Sequence, residues 1–330
     1  EATGANVTLG SGSSPITLYI DGSTTSACFT ANGNLDVNNG VHTVVLETPP
    51  PAGVSTFNVL AYTGTLTGDE TNFALQDAGN YRNVTFAHDS GNKLITLNIV
   101  NETHTWDNGA ADNQWNITNS LNWTSTDSKF YNGDQVTFGD TGAGTVTIAE
   151  DVAPAKVTFD NTVAYTVNGS GLLTAGGGII KTNTSTVTMS AVLSGHTPLT
   201  VEGPSGWIQL NKQQTGWTGG VTVKSGGRLR IVDSSNNNNN DFCLGDSSQD
   251  VVVTVEDGGT LDIAGSRNNP EFQGYGPASI KLQGAGRNGT LGALYVSRWA
   301  TANTFVDELD FVADATINTA QRLDINGRVY

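Results

Sequence analysis

The sequence predicts an all-β chain wound as a parallel β-helix, or β-solenoid, with an aromatic-rich closing and capping β segment. Three observations carry that expectation: a composition that starves helices, a short regular beat of strand-like triplets, and turn-forming residues between the beats. Charged residues make up 14 % of the 330 positions, well below the roughly 25 % of an ordinary soluble domain. Glycine occurs 40 times and methionine once, at Met189, while Asn, Thr and Ser are plentiful. Such residues favour strands and turns and disfavour helix interiors. A chain of this length can bury a sizeable core without disulfide staples.

The beat begins at Val157. Triplets VTF at 157, YTV at 165, LLT at 172, IIK at 179 and VTM at 187 follow at 7–8 residue intervals. Each alternates an apolar with a small or polar residue, so alternate side chains point inward. Gly, Asn, Ser and Asp lie between them as corner residues. Three such strands per turn give a coil of about 22 residues, the order of size of a solenoid repeat. The rhythm continues through LTV at 199, IQL at 208, VTV at 221, LRIV at 229, VVTV at 252 and LDI at 261. It closes with IKL at 280, LYV at 294, LDFV at 309 and LDI at 323. The gaps 233–250 and 264–278 are expected to be loops at coil corners.

Two stretches depart from this rhythm. Residues 1–102 hold longer strand candidates at 41–48, 56–64, 83–89 and 93–100, around a corner at Pro49–Pro51 that no sheet interior accepts. This part is expected to be antiparallel or solenoid-edge structure that closes one unit. Residues 103–330 form the second unit, opening with an aromatic-rich segment, 103–156, that contains Trp106, Trp115, Trp123, Phe130, Tyr131 and Phe138. The tryptophan spacings, 9 and 8, match the strand interval, so the indoles are expected to cover the open end of the solenoid. The alternative is an exposed aromatic patch that binds sugar rings.

At this segment a family resemblance appears. The runs THTWDNGAADNQWNITNSLNW, FYNGDQVTFGD and APAKVTFDNTVAYTVNGSG resemble the autotransporter-associated β-strand repeat proteins. The stretches STFNVLAYTGTLTG, KLITLNIV, VTVEDGGTLDI and DFVADATINTAQRLDINGRV are similar to the same family. The resemblance implies a right-handed β-helix in a secreted or surface protein, acting as an extracellular stalk, coat or adhesin. It brings no catalytic residues.

Charge narrows the partners. With 31 acidic against 15 basic residues the formal net charge is −16, which repels nucleic-acid backbones and anionic headgroups alike. No apolar run approaches the ~20 residues of a membrane span. The first residue, Glu1, follows no Met or signal segment, so the chain reads as mature or excised material of a longer secreted precursor.

The two cysteines, Cys28 and Cys243, are most simply buried thiols. The sharper reading is a bridge between subunits, from Cys28 of one copy to Cys243 of the next. That reading accompanies an expected homopolymer formed by head-to-tail stacking of solenoid ends.

A β-helix also hosts lyases and glycosidases, whose chemistry needs grouped carboxylates or a base beside them. Candidates are Asp233, Asp241 and Asp246; Asp307, Glu308, Asp310 and Asp314; and Asp262 and Asp324, each following Leu in an LDI triplet. All read equally well as solvated strand faces. Arg228 and Arg230 share a strand face near Lys224, with no carboxylate on that strand. His42, His88, His104 and His196 show no metal-ligand spacing. Asp107, Asn108 and Asp112, or Asp134 and Asp140, crowd Gly-containing loops without matching a calcium motif. GAGRNG at 284–289 reads as a turn rather than a dinucleotide fingerprint. The Asn run 236–240 reads as a corner loop. The expectation is therefore a non-catalytic module with no cofactor and no metal.

Overall fold

The computed structural model describes residues 6–10, 14–22, 26–48, 56–212, 214, 216–232, 244, 251–264, 279–297, 304–320 and 323–330. Among them helix is confined to three single 3-10 turns, and everything else regular is strand. None of these helices is long and apolar enough to cross a membrane. Pro49–Pro51, Asp233, Asn236–Asn240, Asp241, Cys243 and Asp246 lie outside the described residues.

The chain divides into two compact units. One comprises Glu1–Glu102 with Tyr131–Gln135, the other Thr103–Phe130 with Val136–Tyr330.

In the larger unit, strands alternate in chain order between a ten-stranded and a nine-stranded sheet. From Val157 on, the registers are parallel in both. Val157 pairs with Ile179, Ile179 with Leu199, Leu199 with Val221, Val221 with Val253, Val253 with Ile280 and Ile280 with Leu309. The first three steps of that column match the predicted coil of about 22 residues, and the later steps are longer. The arrangement is compatible with a β-solenoid. Its period-two logic is plain in these strands: Thr158, Thr200, Thr222 and Thr254 sit between inward-facing apolar side chains. On the nine-stranded sheet the inward column runs Tyr165, Val187, Ile208, Leu229, Leu261, Leu294. Both columns join one continuous apolar core.

The third strand of each coil is shorter than the sequence beat implies. Among the described residues only Leu172–Leu173 and Val192–Leu193 form a third sheet. After Leu193 a side chain takes over that pairing. The buried Gln214 accepts from Leu193 N at 2.6 Å and donates to Ala191 O at 3.3 Å. A buried backbone group needs a partner, and a primary amide offers both a donor and an acceptor, as a strand residue does. Trp217 continues this wall, donating Nε1 to Thr197 O at 2.7 Å.

The first coils of the larger unit are filled by aromatics rather than aliphatics. Phe138 packs against Trp106, Trp115 and Trp123 at centroid distances of 5.4–5.7 Å, and stacks on Phe159 at 4.8 Å. Trp106 and Trp123 meet edge to face at 5.1 Å across an antiparallel bridge, a favoured quadrupole geometry.

The smaller unit also stacks parallel strands, in three small groups. Asn6–Thr8, Asn34–Asp36 and Leu66–Thr67 pair in order, as do Thr17–Ile20, His42–Leu46 and Phe73–Leu75. Phe29–Ala31 pairs parallel with Thr56–Tyr62, but the next neighbour, Leu94–Ile99, runs antiparallel and forms a hairpin with Val84–Asp89. Parallel stacking and an antiparallel closing hairpin therefore coexist here. The buried His42 ties two segments of the chain to its own strand: Nδ1 accepts from Ile16 N and Nε2 donates to Val37 O, each at 3.1 Å. Residues 131–135 belong to this unit, whereas the sequence partition put them in the second. Asp134, fully buried, pairs with Arg82 at 3.2 Å and accepts from the amides of Glu102 and Tyr131, while Arg82 lies 4.3 Å over the Tyr131 ring.

One interior position breaks the apolar rule. Lys181 occupies the inward column between Phe159 and Val201 and is fully buried. Its ammonium donates to the carbonyls of Thr182 and, at 3.0 Å, Asn183. Burial pushes its pKa down to about 8, against a smaller opposing pull from Asp160. Below that pH the folded and unfolded lysines are both charged and the burial penalty is complete. Between about 8 and 10.5 the folded chain binds fewer protons than the unfolded one, so stability rises with pH. Lys181→Met is expected to gain on the order of 2–3 kcal/mol at pH 7, with the gain shrinking as pH approaches 10. Urea unfolding midpoints at pH 7, 8.5 and 10 check this; a pH-independent gain would refute the charge argument.

Candidate functional site

The outward face of the nine-stranded sheet gathers what the sequence kept apart. Parallel pairing places Thr186 beside Trp207, Trp207 beside Arg228 and Arg228 beside Thr260. One column over, Gln209 neighbours Arg230, Arg230 neighbours Asp262 and Asp262 neighbours Tyr295. Residues 21 to 34 positions apart in sequence thus become lateral neighbours.

Their chemistry interlocks. Arg228 donates through Nε, at 3.0 Å, and Nη2 to the same carboxylate oxygen of Asp262. Arg230 Nε lies 3.4 Å from that oxygen. The Asp262 carboxylate is 0 % exposed, and its Oδ1 has no hydrogen-bond partner. Both guanidiniums also lie over the Trp207 indole, at 4.4 and 5.5 Å from a ring centroid, and Arg228 is 5.8 Å from that of Tyr295. Cation–π attraction of this kind strengthens where water is excluded.

A loop closes one side. Gly284–Gly292 folds back on itself through a 3-10 turn at Arg287–Gly289 and a bridge between Gly286 and Gly292. Gly286 has φ +76°, and a Cβ there would lie 2.0 Å from Gly292 O, so only glycine fits. The buried Thr260 pins the loop, accepting from Arg287 N at 2.9 Å and donating to Gly292 O at 2.8 Å. The result is a cleft of about 390 Å³ bounded by Trp207 and Arg228 from the sheet and by Arg287, Asn288 and Thr290 from the loop. Burial lowers the Arg287 pKa, with repulsion from Arg228 adding to it. Its Nε is buried without a hydrogen-bond partner.

This site was half visible in the sequence. Arg228 and Arg230 stood out, but the missing carboxylate comes from the next coil. The matching triplets LRI at 229–231 and LDI at 261–263 put Arg230 and Asp262 at the same position and were the available signal. Asp262 is not a solvated strand face: stacking between coils buries it. Asp324, in the other LDI triplet, lies on a strand of the ten-stranded sheet. No local pattern in the sequence marks Trp207, Arg287 or Tyr295. GAGRNG is indeed a turn, and it supplies the wall of the cleft.

The other candidates fall elsewhere. Trp106, Trp115 and Trp123 are 0–1 % exposed, so they offer no face to a sugar, and the aromatic-patch expectation is corrected. Indoles that fill the first coils are consumed by packing. Cys28 is exposed as a residue, yet its thiol turns inward and donates to Val59 O at 2.9 Å. Burial of that thiol raises its pKa, which weakens it as a nucleophile. Lys224 pairs with Glu202 at 2.9 Å, away from the two arginines' carboxylate. Asp112 accepts from Gln114 N, Ser120 Oγ and Asn122 Nδ2. Burial there is the largest single influence and favours the acid, but the hydrogen bonds together outweigh it and lower the pKa. Asp140 caps Thr162, and Asp134 is held by Arg82, so these loops use their carboxylates internally. Asp307, Glu308, Asp310 and Asp314 lie on the Thr304–Ala315 strand, with Asp314 exposed. His88 accepts or donates at 2.6 Å with Tyr62 Oη, and His42 is structural.

Comparison with protein-family models, with curated proteins and with solved structures yields no match.

Removing Asp262 isolates two guanidiniums against each other on a partly buried face. Asp262→Ala is expected to destabilise the larger unit by about 3–5 kcal/mol, read from chemical unfolding. A loss below about 1 kcal/mol would mean the pair is effectively solvated.

Proposed function

We propose that the chain is a non-catalytic structural module, a right-handed parallel β-helix segment of an extracellular filament, stalk or coat. The observation that supports it is the in-register stacking of strand on strand through the larger unit, with an apolar interior and Thr-rich outer columns. A chain built by repeating one lateral contact is well suited to length and stiffness. The resemblance to autotransporter-associated repeat proteins supports the extracellular setting.

Self-association by head-to-tail stacking belongs to this reading. Its support is the lateral parallel contact itself, strand on strand through both long sheets, which a strand of a second copy can extend. Unpaired strand edges are templates for further pairing. Electron microscopy and sedimentation over rising concentration are expected to show rods that lengthen by whole copies. Isolated monomers at high concentration would overturn it.

A disulfide from Cys28 of one copy to Cys243 of the next would lock such a stack. Oxidised protein is then expected to run as a ladder in non-reducing electrophoresis, collapsing to one band with Cys28→Ser. A single monomer band from the oxidised wild type would end the idea.

A second reading, an adhesin surface that binds glycan, is favoured by the arginine–indole cleft on the nine-stranded sheet. A lyase or glycosidase reading has less support, because the one carboxylate in that cluster, Asp262, is enclosed by arginines rather than presented to a glycosidic bond.

A further inference from the structure

We propose that the cleft between Trp207, Arg228 and Arg287 binds a short acidic saccharide, with a uronate carboxylate held by the guanidiniums and the sugar ring against the indole. The inference rests on the glycan-binding reading of this face and names its ligand class.

Charge balance is the first support. Asp262 is already shared between Arg228 and Arg230, and Arg287 lines the same cleft as Arg228. Arg287 has no carboxylate partner among the described residues, and its Nε is buried without a hydrogen bond. Leaving a buried donor unmade is costly, whereas a guanidinium pairs well with a planar carboxylate. A bound anion supplies what this group lacks, and it offsets the repulsion from Arg228 that disfavours its charge.

Size and polarity select a sugar. A volume of about 390 Å³ suits a ligand of one or two rings. Trp207 and Leu291 give it an apolar wall, while Thr186, Ser205, Asn288 and Thr290 ring it with hydroxyls and an amide. The Trp207 Nε1 is a further buried donor without a partner. A simple oxyanion has no use for the apolar wall. The chain's net charge of −16 opposes long polyanions, because repulsion accumulates along them, so the ligand is short.

Isothermal titration of the intact chain tests this with a galacturonic acid trimer, its methyl ester, sodium sulfate and a triglutamate peptide. The acid trimer is expected to bind, and the ester about tenfold more weakly or worse. Arg287→Gln should weaken the acid trimer about tenfold at an unchanged unfolding midpoint, and Arg287→Lys should restore part of it. Equal binding of trimer and ester would overturn the anion assignment while leaving glycan binding intact. Binding of neither would overturn both. Sulfate or the peptide binding as tightly as the trimer would overturn the saccharide assignment.

Discussion

Lateral stacking of each residue on its counterpart one coil earlier is the constraint on which the larger unit depends. In a parallel ladder the neighbour is set by register, and a slip of one residue turns every inward side chain outward. The columns Val157–Ile179–Leu199–Val221 and Tyr165–Val187–Ile208–Leu229 show the result. Each inward position touches its own kind, and the buried apolar area grows with every coil. Lys181 departs from this rule inside its column. It is accommodated because its ammonium reaches the corner carbonyls of Thr182 and Asn183, where the strand ends and backbone acceptors turn toward it. Gly206 leaves room there, since a Cβ would approach the Lys181 Nζ to 2.8 Å.

Much of this architecture was legible in the sequence. Every triplet read from Val157 to the LDI at 323 falls in a strand, save that Thr174 of the LLT at 172 lies just past one, because alternation and corner residues are local signals that stacking reinforces. Pairing was harder to read. Which triplet lies beside which depends on how many residues each corner holds, and the later steps vary, as Val221 to Val253 and Val253 to Ile280 do. The sequence thus displayed Arg230 and Asp262 as separate strand residues and concealed that they touch. Two other features resisted for a related reason. Gln214 replaces a strand with one side chain, and Arg82 draws 131–135 into the smaller unit through a buried ion pair. Neither leaves a periodic trace.

The tryptophans illustrate how spacing informs and misleads together. Intervals of 9 and 8 placed the three indoles near one another, and they do meet. Spacing says nothing about which side of the sheet they occupy. Burial decides that: large aromatics cluster where the first coils must be filled, and Phe138 sits at the centre of the group. Trp207, a partly exposed indole, belongs to no such spacing and becomes informative only when parallel register sets Arg228 beside it.

The arginine cluster is best explained by something other than stability. The ten-stranded sheet lines one outer column with Thr158, Ile180, Thr200, Thr222 and Thr254 before Lys281 and Asp310, and its β-branched side chains suit a strand at little electrostatic cost. The nine-stranded sheet begins the same way, with Thr145, Thr166 and Thr188 in one column, and then changes to Gln209, Arg230, Asp262 and Tyr295. A buried ion pair is no better for stability than well-packed neutral residues of similar volume. Here three guanidiniums against one carboxylate carry excess positive charge besides. A loop held by Thr260, with a glycine that no other residue can replace at 286, is built over that charge and leaves a cleft open. A threonine ladder would satisfy the fold; the excess charge, the indole and the pinned wall together fit a site that waits for an anion.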